Sequence, residues 1–309
     1  GDPADVHRSL LAVTDTVREQ GRTWGCFEAG RDEEQKRAFR VLSALPAAMT
    51  TREQLSLHYQ PRLNLSTGAC VGVEALLRWT HPEMGNVPPS EFIPLAERTA
   101  LIGRVTRWVL TQALAQAARW QRAGHTFSVA VNVSAVDLDQ ENFIDVLCEL
   151  MQRFEADPHG IELEFTESAL TLHPQRLTEH LHRLRDLGVQ IALDDFGTGY
   201  SNLNYLKRIP ATTLKIDQSF IRNLLTDDRD RAIVPSMIRL GHDLGHRVVA
   251  EGIETQEVLD QLADWSCDEG QGYWIARPMP VDKLDAWLAN RTRVAATGLS
   301  AAQTAAPTC

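Results

Sequence analysis

The sequence predicts an α/β protein, a (β/α)8 TIM-like barrel whose first strand runs antiparallel to its neighbours. Three observations carry that expectation. From residue 56 onward, short β-rich runs alternate with amphipathic helical stretches, the pattern of successive βα units and not of a sandwich. The 309 residues suit one barrel of about 250 residues with additional ends. Acidic and amide side chains recur at the C-terminal ends of the β-rich runs, where barrels of this kind assemble their sites.

Taken in order, strands are expected at 56–64, 69–77, 127–133, 161–166, 189–194, 212–216, 247–251 and around 267–271. The first two are joined by NLSTGA, a turn-forming stretch too short for a crossover helix, which predicts an antiparallel hairpin at the start of the barrel. FIPLAERTALI (92–102) reads as an amphipathic helix. A longer helix is expected over 102–123, where Val105, Trp108, Val109, Ala113, Leu114, Ala117 and Trp120 recur at helical spacing and Gly124 stands at the C-terminal cap. That stripe reads as core. Residues 1–24 suggest a helix followed by a short WGCFEAG strand without companion strands nearby. The tail AATGLSAAQTAAPTC is small, polar and aperiodic, the composition of a disordered segment.

Composition narrows the function. A net charge of −10 opposes general binding to DNA or RNA, which needs the opposite sign, and leaves a small anionic substrate open only where cations are local. With 43% hydrophobic and 23% charged residues the chain can bury a sizeable core, which sets disorder aside for the whole. The five cysteines (Cys26, Cys70, Cys148, Cys267, Cys309) are odd in number and scattered, with no CxxC pair. They read as reduced thiols of a cytoplasmic protein, not as a zinc cluster or a disulfide scaffold. No run approaches the roughly 20 apolar residues of a membrane span, and GDPADVHRSL lacks a signal peptide's apolar centre. A membrane anchor of the full-length protein would lie outside this chain.

The strand ends carry the chemistry. Glu74 stands in VEALLRW, Asn132 in VAVNVS, Glu164 and Glu167 in IELEFTES, Asp194 and Asp195 in IALDDFGTGY, Lys215 in TLKID, Glu251 in VVAEGIET and Gln271 in EGQGYW. Singly, an acid after a strand is most often a helix cap or a solvated loop group. Together, Glu74, Glu164, Asp194, Asp195 and Glu251 cannot share a poorly solvated rim unpaired, because repulsion and desolvation push them towards neutrality. Two divalent cations balance these charges once Lys215 is counted. A donor set of oxygens without His or Cys favours Mg²⁺ or Mn²⁺ over zinc. Asp194 and Asp195 reach a common metal pair only if the pleat breaks, since successive strand side chains face opposite ways; the strand's end and the loop glycines Gly197 and Gly199 are expected to supply the break. Asp194 would then bridge two ions while Asp195 holds the second.

From LHYQP at 57–61 through VEALLRW, FIPLAE, VNVS, ELEFTES, LDDFGTGYSNL, LKID and VVAEGIET to QGYWIARP at 271–278, the motifs resemble those of the EAL domain. This bacterial cyclic-di-GMP phosphodiesterase family is named for the tripeptide found here as Glu74-Ala75-Leu76. The resemblance implies a (β/α)8-like barrel with one antiparallel strand that hydrolyses cyclic di-GMP to linear pGpG. It implies Glu74, Asn132, Glu164, Asp194, Asp195 and Glu251 as the metal ligands; from the charge argument the ions are two divalent cations, Mg²⁺ or Mn²⁺, and Ca²⁺, with its looser geometry, is expected to inhibit. Lys215 and Gln271 would position or polarise the attacking water, and Glu251 would serve as ligand with or without the role of general base. Glu167 would fix the DFGTGYSNL loop, and the loop 196–210 would contribute a homodimer interface. Gln60, Leu76, Arg78 and Asp217 are the implied substrate contacts, a structural cap being the competing reading of Asp217. Two departures from the family pattern, Arg98 for a second acid after Glu97 and Gln218 after LKID, leave the ligand set untouched.

VREQGRTWGCFEAG resembles the end of a GGDEF domain, the cyclase partner found upstream of EAL domains, although the GGDEF signature itself is absent. The expected division is therefore 1–35 as the remnant of an upstream regulatory domain and linker, 36–292 as the barrel and 293–309 as a disordered tail. Three other readings compete. An EAL-like receptor that binds without cutting usually lacks a ligand, whereas every ligand is present here. A His-Asp hydrolase is suggested by His242-Asp243 and His246, but the ten histidines do not supply the helix-borne set such a site needs. A scaffold role of the barrel surface would be additional to either.

Overall fold

A computed structural model describes residues 29–51, 53–166, 174–199, 206 and 209–291 of the chain. The expected N-terminal helix, the expected strand up to residue 28, Glu167 and the tail lie outside the described residues; Ala29 and Gly30, the last two residues of that expected strand, open a helix instead. Contacts divide the chain into two compact units, one of residues 56–78 and 102 onward, the other of residues up to 55 and 79–101.

The strands in chain order are β1 (Leu55–Asn64), β2 (Cys70–His81), β3 (Gly85–Val87), β4 (Ser128–Asn132), β5 (Ile161–Thr166), β6 (Gln190–Phe196), β7 (Thr213–Ile216), β8 (Arg247–Ala250) and β9 (Glu269–Gly270). The larger unit is a closed barrel in the order β1-β9-β8-β7-β6-β5-β4-β2, with β1 pairing back to β2. Neighbours from β2 round to β9 are parallel, and β1 alone is antiparallel to β9. The reversal has a local cause. The carboxamide oxygen of Asn64 accepts from Thr67 N at 2.9 Å and from the hydroxyls of Ser66 and Thr67, folding a turn too short for a helix. All eight expected barrel strands are present, with ends shifted by a few residues; β6 runs two residues further than expected, and this matters for the site.

Along the strands, one set of alternate residues, including Leu163, Phe165, Ile191, Leu193, Leu214, Ile216 and Val248, is fully buried and apolar, as strands covered on both faces require. The other set departs from the branched apolar filling usual in such barrels. Arg62, Glu74, Glu162, Glu164, Thr213, Lys215 and Glu269 are all buried. The helices are α1 (Ala29–Ala48), α2 (Pro89–Glu97), α3 (Leu101–Arg122), α4 (Ala135–Leu138), α5 (Phe143–Phe154), α6 (Pro174–Asp186), α7 (Gln218–Ile221), α8 (Asp228–Asp243), α9 (Gln256–Asp264) and α10 (281–291). On α3 the expected stripe is buried except for the half-buried Trp108, and Trp120 packs edge-on to Tyr59 with ring centroids 4.9 Å apart. Gly124 closes the helix at φ +88°, while His125 N donates to Trp120 O at 3.0 Å.

FIPLAERTALI does not form one helix. α2 stops at Glu97 and α3 starts at Leu101, because Thr99 Oγ1 accepts from Leu101 N at 3.2 Å and offers the backbone a fresh start. The smaller unit holds α1, α2 and the hairpin of β3 with the end of β2, where Trp79 pairs Val87. Trp79 is fully buried and meets Phe92 edge-on at 5.3 Å, with Val41, Leu45 and Ala96 completing this core. Arg37 Nη2 reaches Glu91 Oε2 at 3.0 Å. α1 continues through residues 35 and 36 without a break.

Candidate metal centre

Lys215 is the hub of the barrel's interior. It is fully buried on β7, and its Nζ lies 2.7 Å from Glu251 Oε1, 2.8 Å from Glu164 Oε2, 3.2 Å from Asp194 Oδ1 and 3.7 Å from Glu74 Oε2. The strand register explains the convergence: Asn132 lies opposite Glu164, Thr166 opposite Asp194, and Lys215 opposite Val249, two residues before Glu251. Glu74 is held from two further sides, Asn132 Nδ2 donating to Oε1 at 2.7 Å and Gln271 Nε2 to Oε2 at 2.6 Å. Gln271 also reaches Gln60 Oε1 at 3.1 Å, and Gln60 donates to Ala276 O at 2.9 Å.

The adjacent aspartates are brought to one side by a bulge. β6 and β7 are in register at Leu193 with Leu214 and again at Phe196 with Ile216, so β6 carries one extra residue between these pairs. Asp195 takes up the excess at φ +54°, a left-handed conformation that Asp tolerates better than most residues. The break in the pleat therefore lies inside β6 and not at its end or in the loop glycines beyond it. Ligand oxygens of Asp194, Asp195 and Glu251 consequently lie within 4.8 Å of one another.

The donor set fits a hard divalent cation. It consists of carboxylate and amide oxygens only. Glu164 Oε1 is also fully buried without a hydrogen-bond partner among the described residues, an acceptor that a cation would satisfy. Electrostatics tell the same story. Burial, reinforced by Glu74, Asp194 and Glu162, holds Glu164 well above the usual carboxylate range despite Lys215. Burial likewise lifts Glu251 to about 8, with Asp194 and Glu74 adding to the effect and Lys215 opposing it. Asp195 rises to about 6 through burial and the nearby charges of Asp194 and Asp217. For Glu74, burial is outweighed by Lys215 and the bonds from Gln271 and Asn132, so it stays below the usual range. The site holds more negative charge than one lysine can settle.

Above these groups opens a cavity of about 220 Å³, lined by Gln60, Glu74, Leu76, Arg78, Asp194, Glu251 and Gln271 among the expected residues. Arg78 is half-buried, its Nη1 donating to the carbonyl of Leu77 at 2.9 Å. Asp217 does not line the cavity; it caps α7 by accepting from Ser219 N at 3.0 Å and stands beside Asp195. Gln218, Arg222, Glu254 and Tyr273 also line it and were not expected. Gly272 is fixed by crowding: a Cβ there would stand 2.1 Å from Ile253 O.

Sequence reading also missed the layer beneath the site. Arg62 Nη1 lies 2.6 Å from Glu162 Oε1 and its Nε 2.7 Å from Glu269 Oε2. A signal was present, since Arg62, Glu162 and Glu269 stand two residues from Gln60, Glu164 and Gln271 and share their strand faces. The rival histidines do not join the site. His242 pairs with Asp268 at 2.8 Å and His246 with Ala211 O at 3.0 Å.

Comparison with known proteins agrees with this geometry. The EAL domain family matches residues 42–278. Cyclic di-GMP phosphodiesterase PA2567 of Pseudomonas aeruginosa is 44% identical over 284 residues, covering 92% of this chain and 48% of that protein. The bifunctional diguanylate cyclase/cyclic di-GMP phosphodiesterase MucR of the same organism is 40% identical over 92% of this chain and 42% of its own length. The chain thus spans under half the length of these two curated relatives. Among solved structures, the PaMucR phosphodiesterase in complex with c-di-GMP superposes with a TM-score of 0.76 at 42% identity, over 79% of this chain and 99% of that one. The EAL enzyme Bd1971 with cAMP and cyclic-di-GMP bound gives 0.78 at 29% identity, over 92% and 74% respectively. With its barrel, its reversed first strand and its family motifs in place, the chain belongs to the EAL domain family.

Proposed function

We propose that this chain hydrolyses cyclic di-GMP to linear pGpG at a site for two divalent cations, Mg²⁺ or Mn²⁺. The observation that carries the reading is the convergence of Glu74, Glu164, Asp194 and Glu251 on Lys215, with Asp195 alongside, under a cavity that presents Arg78. Glu74, Asn132, Glu164, Asp194, Asp195 and Glu251 would hold the two cations. When bound, the two ions supply the charge that lowers the pKa of the attacking water and stabilises the leaving 3′ oxygen. Lys215 and Gln271 orient the nucleophile, Arg78 clamps a phosphate with its guanidinium, and Gln60 and Leu76 shape the cavity around the substrate. Asp217 acts through its neighbour Asp195 and the cap of α7.

Glu167 and the loop 196–210, largely outside the described residues, complete the proposal as a support for the Asp194–Asp195 segment and as a homodimer contact. An upstream cyclase-like regulatory domain accords with the name of the second relative and with the GGDEF-like reading of 1–35. A cytoplasmic site of action follows from a nucleotide substrate, and no helix among the described residues is long and apolar enough to cross a membrane.

The test is incubation of the chain with cyclic di-GMP and Mg²⁺ or Mn²⁺, with an EDTA control and chromatographic separation of products. Metal-dependent pGpG is expected. Tight binding without product would replace the enzyme by a receptor.

A further inference from the structure

We propose that Arg62 is a positioning residue for the metal centre, a cation in the barrel floor that holds Glu164 in place from below. The inference rests on the metal-centre reading above. Arg62 is 2% exposed, and its guanidinium meets carboxylates from two other strands: Glu162 on β5, through hydrogen bonds from Nη1 at 2.6 Å and Nη2 at 3.3 Å, and Glu269 on β9, an ion pair with Nε 2.7 Å from Oε2 that is not aligned as a hydrogen bond. Its Nη2 also donates to Ser128 Oγ on β4 at 3.3 Å. Thr213 on β7 donates to the same Glu162 at 3.1 Å, so the fork and its partners tie five strands together across the floor. Arg247 on β8 closes the network from outside, 3.4 Å from both Glu162 and Glu269.

The floor approaches the site at Glu164. Glu162 and Glu164 are two residues apart on β5, point the same way and are both fully buried. Lys215 holds Glu164 Oε2 at 2.8 Å, whereas Oε1 has no hydrogen bond among the described residues and has Arg62 Nη1 at 4.0 Å. Arg62 is thus the cation lying between two stacked carboxylates. Without it, Lys215 on Glu164 and Arg247 on Glu162 would still oppose the repulsion between the two carboxylates, but the charge facing Glu164 Oε1 would be gone, and the cheapest relief is for that carboxylate to swing away. The second sign of a built arrangement is Gly72, two residues before Glu74. A Cβ there would stand 2.8 Å from Nε and Nη2 of Arg62, so the absence of a side chain at 72 is what lets the guanidinium lie across the barrel.

Groups that orient a metal ligand without touching the metal typically change affinity by about 10–100-fold when removed. The test uses the whole chain, with Mn²⁺ alone as probe in calorimetry, and steady-state kinetics and thermal unfolding alongside. Three variants separate positioning from simple stability. Arg62→Lys keeps the charge but loses the fork. Gly72→Ala pushes the fork aside without altering any charge. Arg62→Met with Glu162→Met removes the pair together, which spares the fold an unpaired buried charge. We expect Mn²⁺ half-saturation to rise several-fold, up to about tenfold, in Arg62→Lys and Gly72→Ala, where Glu162 still faces Glu164 with the fork displaced, and by a smaller factor in the double variant, where that repulsion is removed with the pair. KM for cyclic di-GMP at saturating metal should move less than about threefold. A purely structural role predicts the opposite split, a lowered Tm with unchanged Mn²⁺ affinity, and affinity within about twofold of wild type in whichever of Arg62→Lys and Gly72→Ala folds overturns the inference. A wild-type chain that takes up no Mn²⁺ would instead overturn the metal-centre reading, and this one with it.

Discussion

Asp194 and Asp195 are sequence neighbours whose carboxylate oxygens lie within 4.8 Å of each other, because Asp195 sits in a bulge of β6 at φ +54°. Backbone and carboxylate can therefore be separated by substitution. Asp195→Asn keeps a residue that tolerates the left-handed region, so Tm should stay within a few degrees while turnover falls. Asp195→Val adds a backbone strain of about 1–2 kcal/mol, visible in thermal unfolding. Asp194→Asn and Glu74→Ala should each abolish hydrolysis; turnover within about tenfold of wild type would remove either from the proposed mechanism.

The barrel was legible because its signals are local. Apolar runs, the NLSTGA turn and the α3 stripe each specify an element without help from distant residues. The strand-end acids were legible as a group because repulsion makes their co-occurrence improbable unless something neutralises them. What stayed hidden depends on register. Nothing in IALDDFGTGY says that the extra residue falls inside β6, since a bulge is defined by the partner strand. The charged floor was hidden for a different reason: Glu162 and Glu269 precede the C-terminal ends of their strands, where function was sought, and Arg62 stands on the reversed strand. Thr99 likewise breaks FIPLAERTALI into two helices although the apolar spacing runs through it.

Protons and metal compete in the site, and the sign can be worked out. Burial raises Glu251 to about 8 from 4.5, and Asp195 to about 6 from 3.8. The folded, metal-free chain therefore retains protons that the unfolded chain has released. The stability contributed by the two groups is complete below about pH 4 and is lost as pH rises through about 6 and then about 8. Without metal, Tm should fall between about pH 5 and pH 8.5, and Mn²⁺ should raise Tm more at the upper end, where the ligands are already ionised. Thermal unfolding with and without Mn²⁺ across this range checks both signs; a metal-induced rise larger at pH 5 would contradict them.

Calcium is expected to bind and inhibit. The donor set is all oxygen, which Ca²⁺ accepts, but its looser and larger coordination does not hold the geometry that Mg²⁺ or Mn²⁺ imposes. Product formation should drop as Ca²⁺ is titrated against fixed Mg²⁺, while binding of cyclic di-GMP persists. Full activity in Ca²⁺ alone would count against a two-metal hydrolysis.

Arg78 distinguishes substrate clamping from catalysis. It lines the cavity within the field of Glu74, and its side-chain bond among the described residues is to its own neighbour's carbonyl, so that guanidinium N–H groups would meet a phosphate there. Removing such a clamp takes away binding that ground state and transition state share, so KM should rise and kcat should change less. Arg78→Ala is expected to raise KM for cyclic di-GMP by about 10–100-fold, in line with the loss of one charge-assisted contact of about 1.5–3 kcal/mol. Arg78→Lys should recover only part of this, because an ammonium supplies the charge without the planar fork. The metal centre offers an internal control: Mn²⁺ affinity without substrate should stay near that of wild type in both variants. If Arg78→Ala instead lowers kcat with KM unchanged, the guanidinium acts on the transition state, and Arg78 moves from substrate binding to the catalytic set.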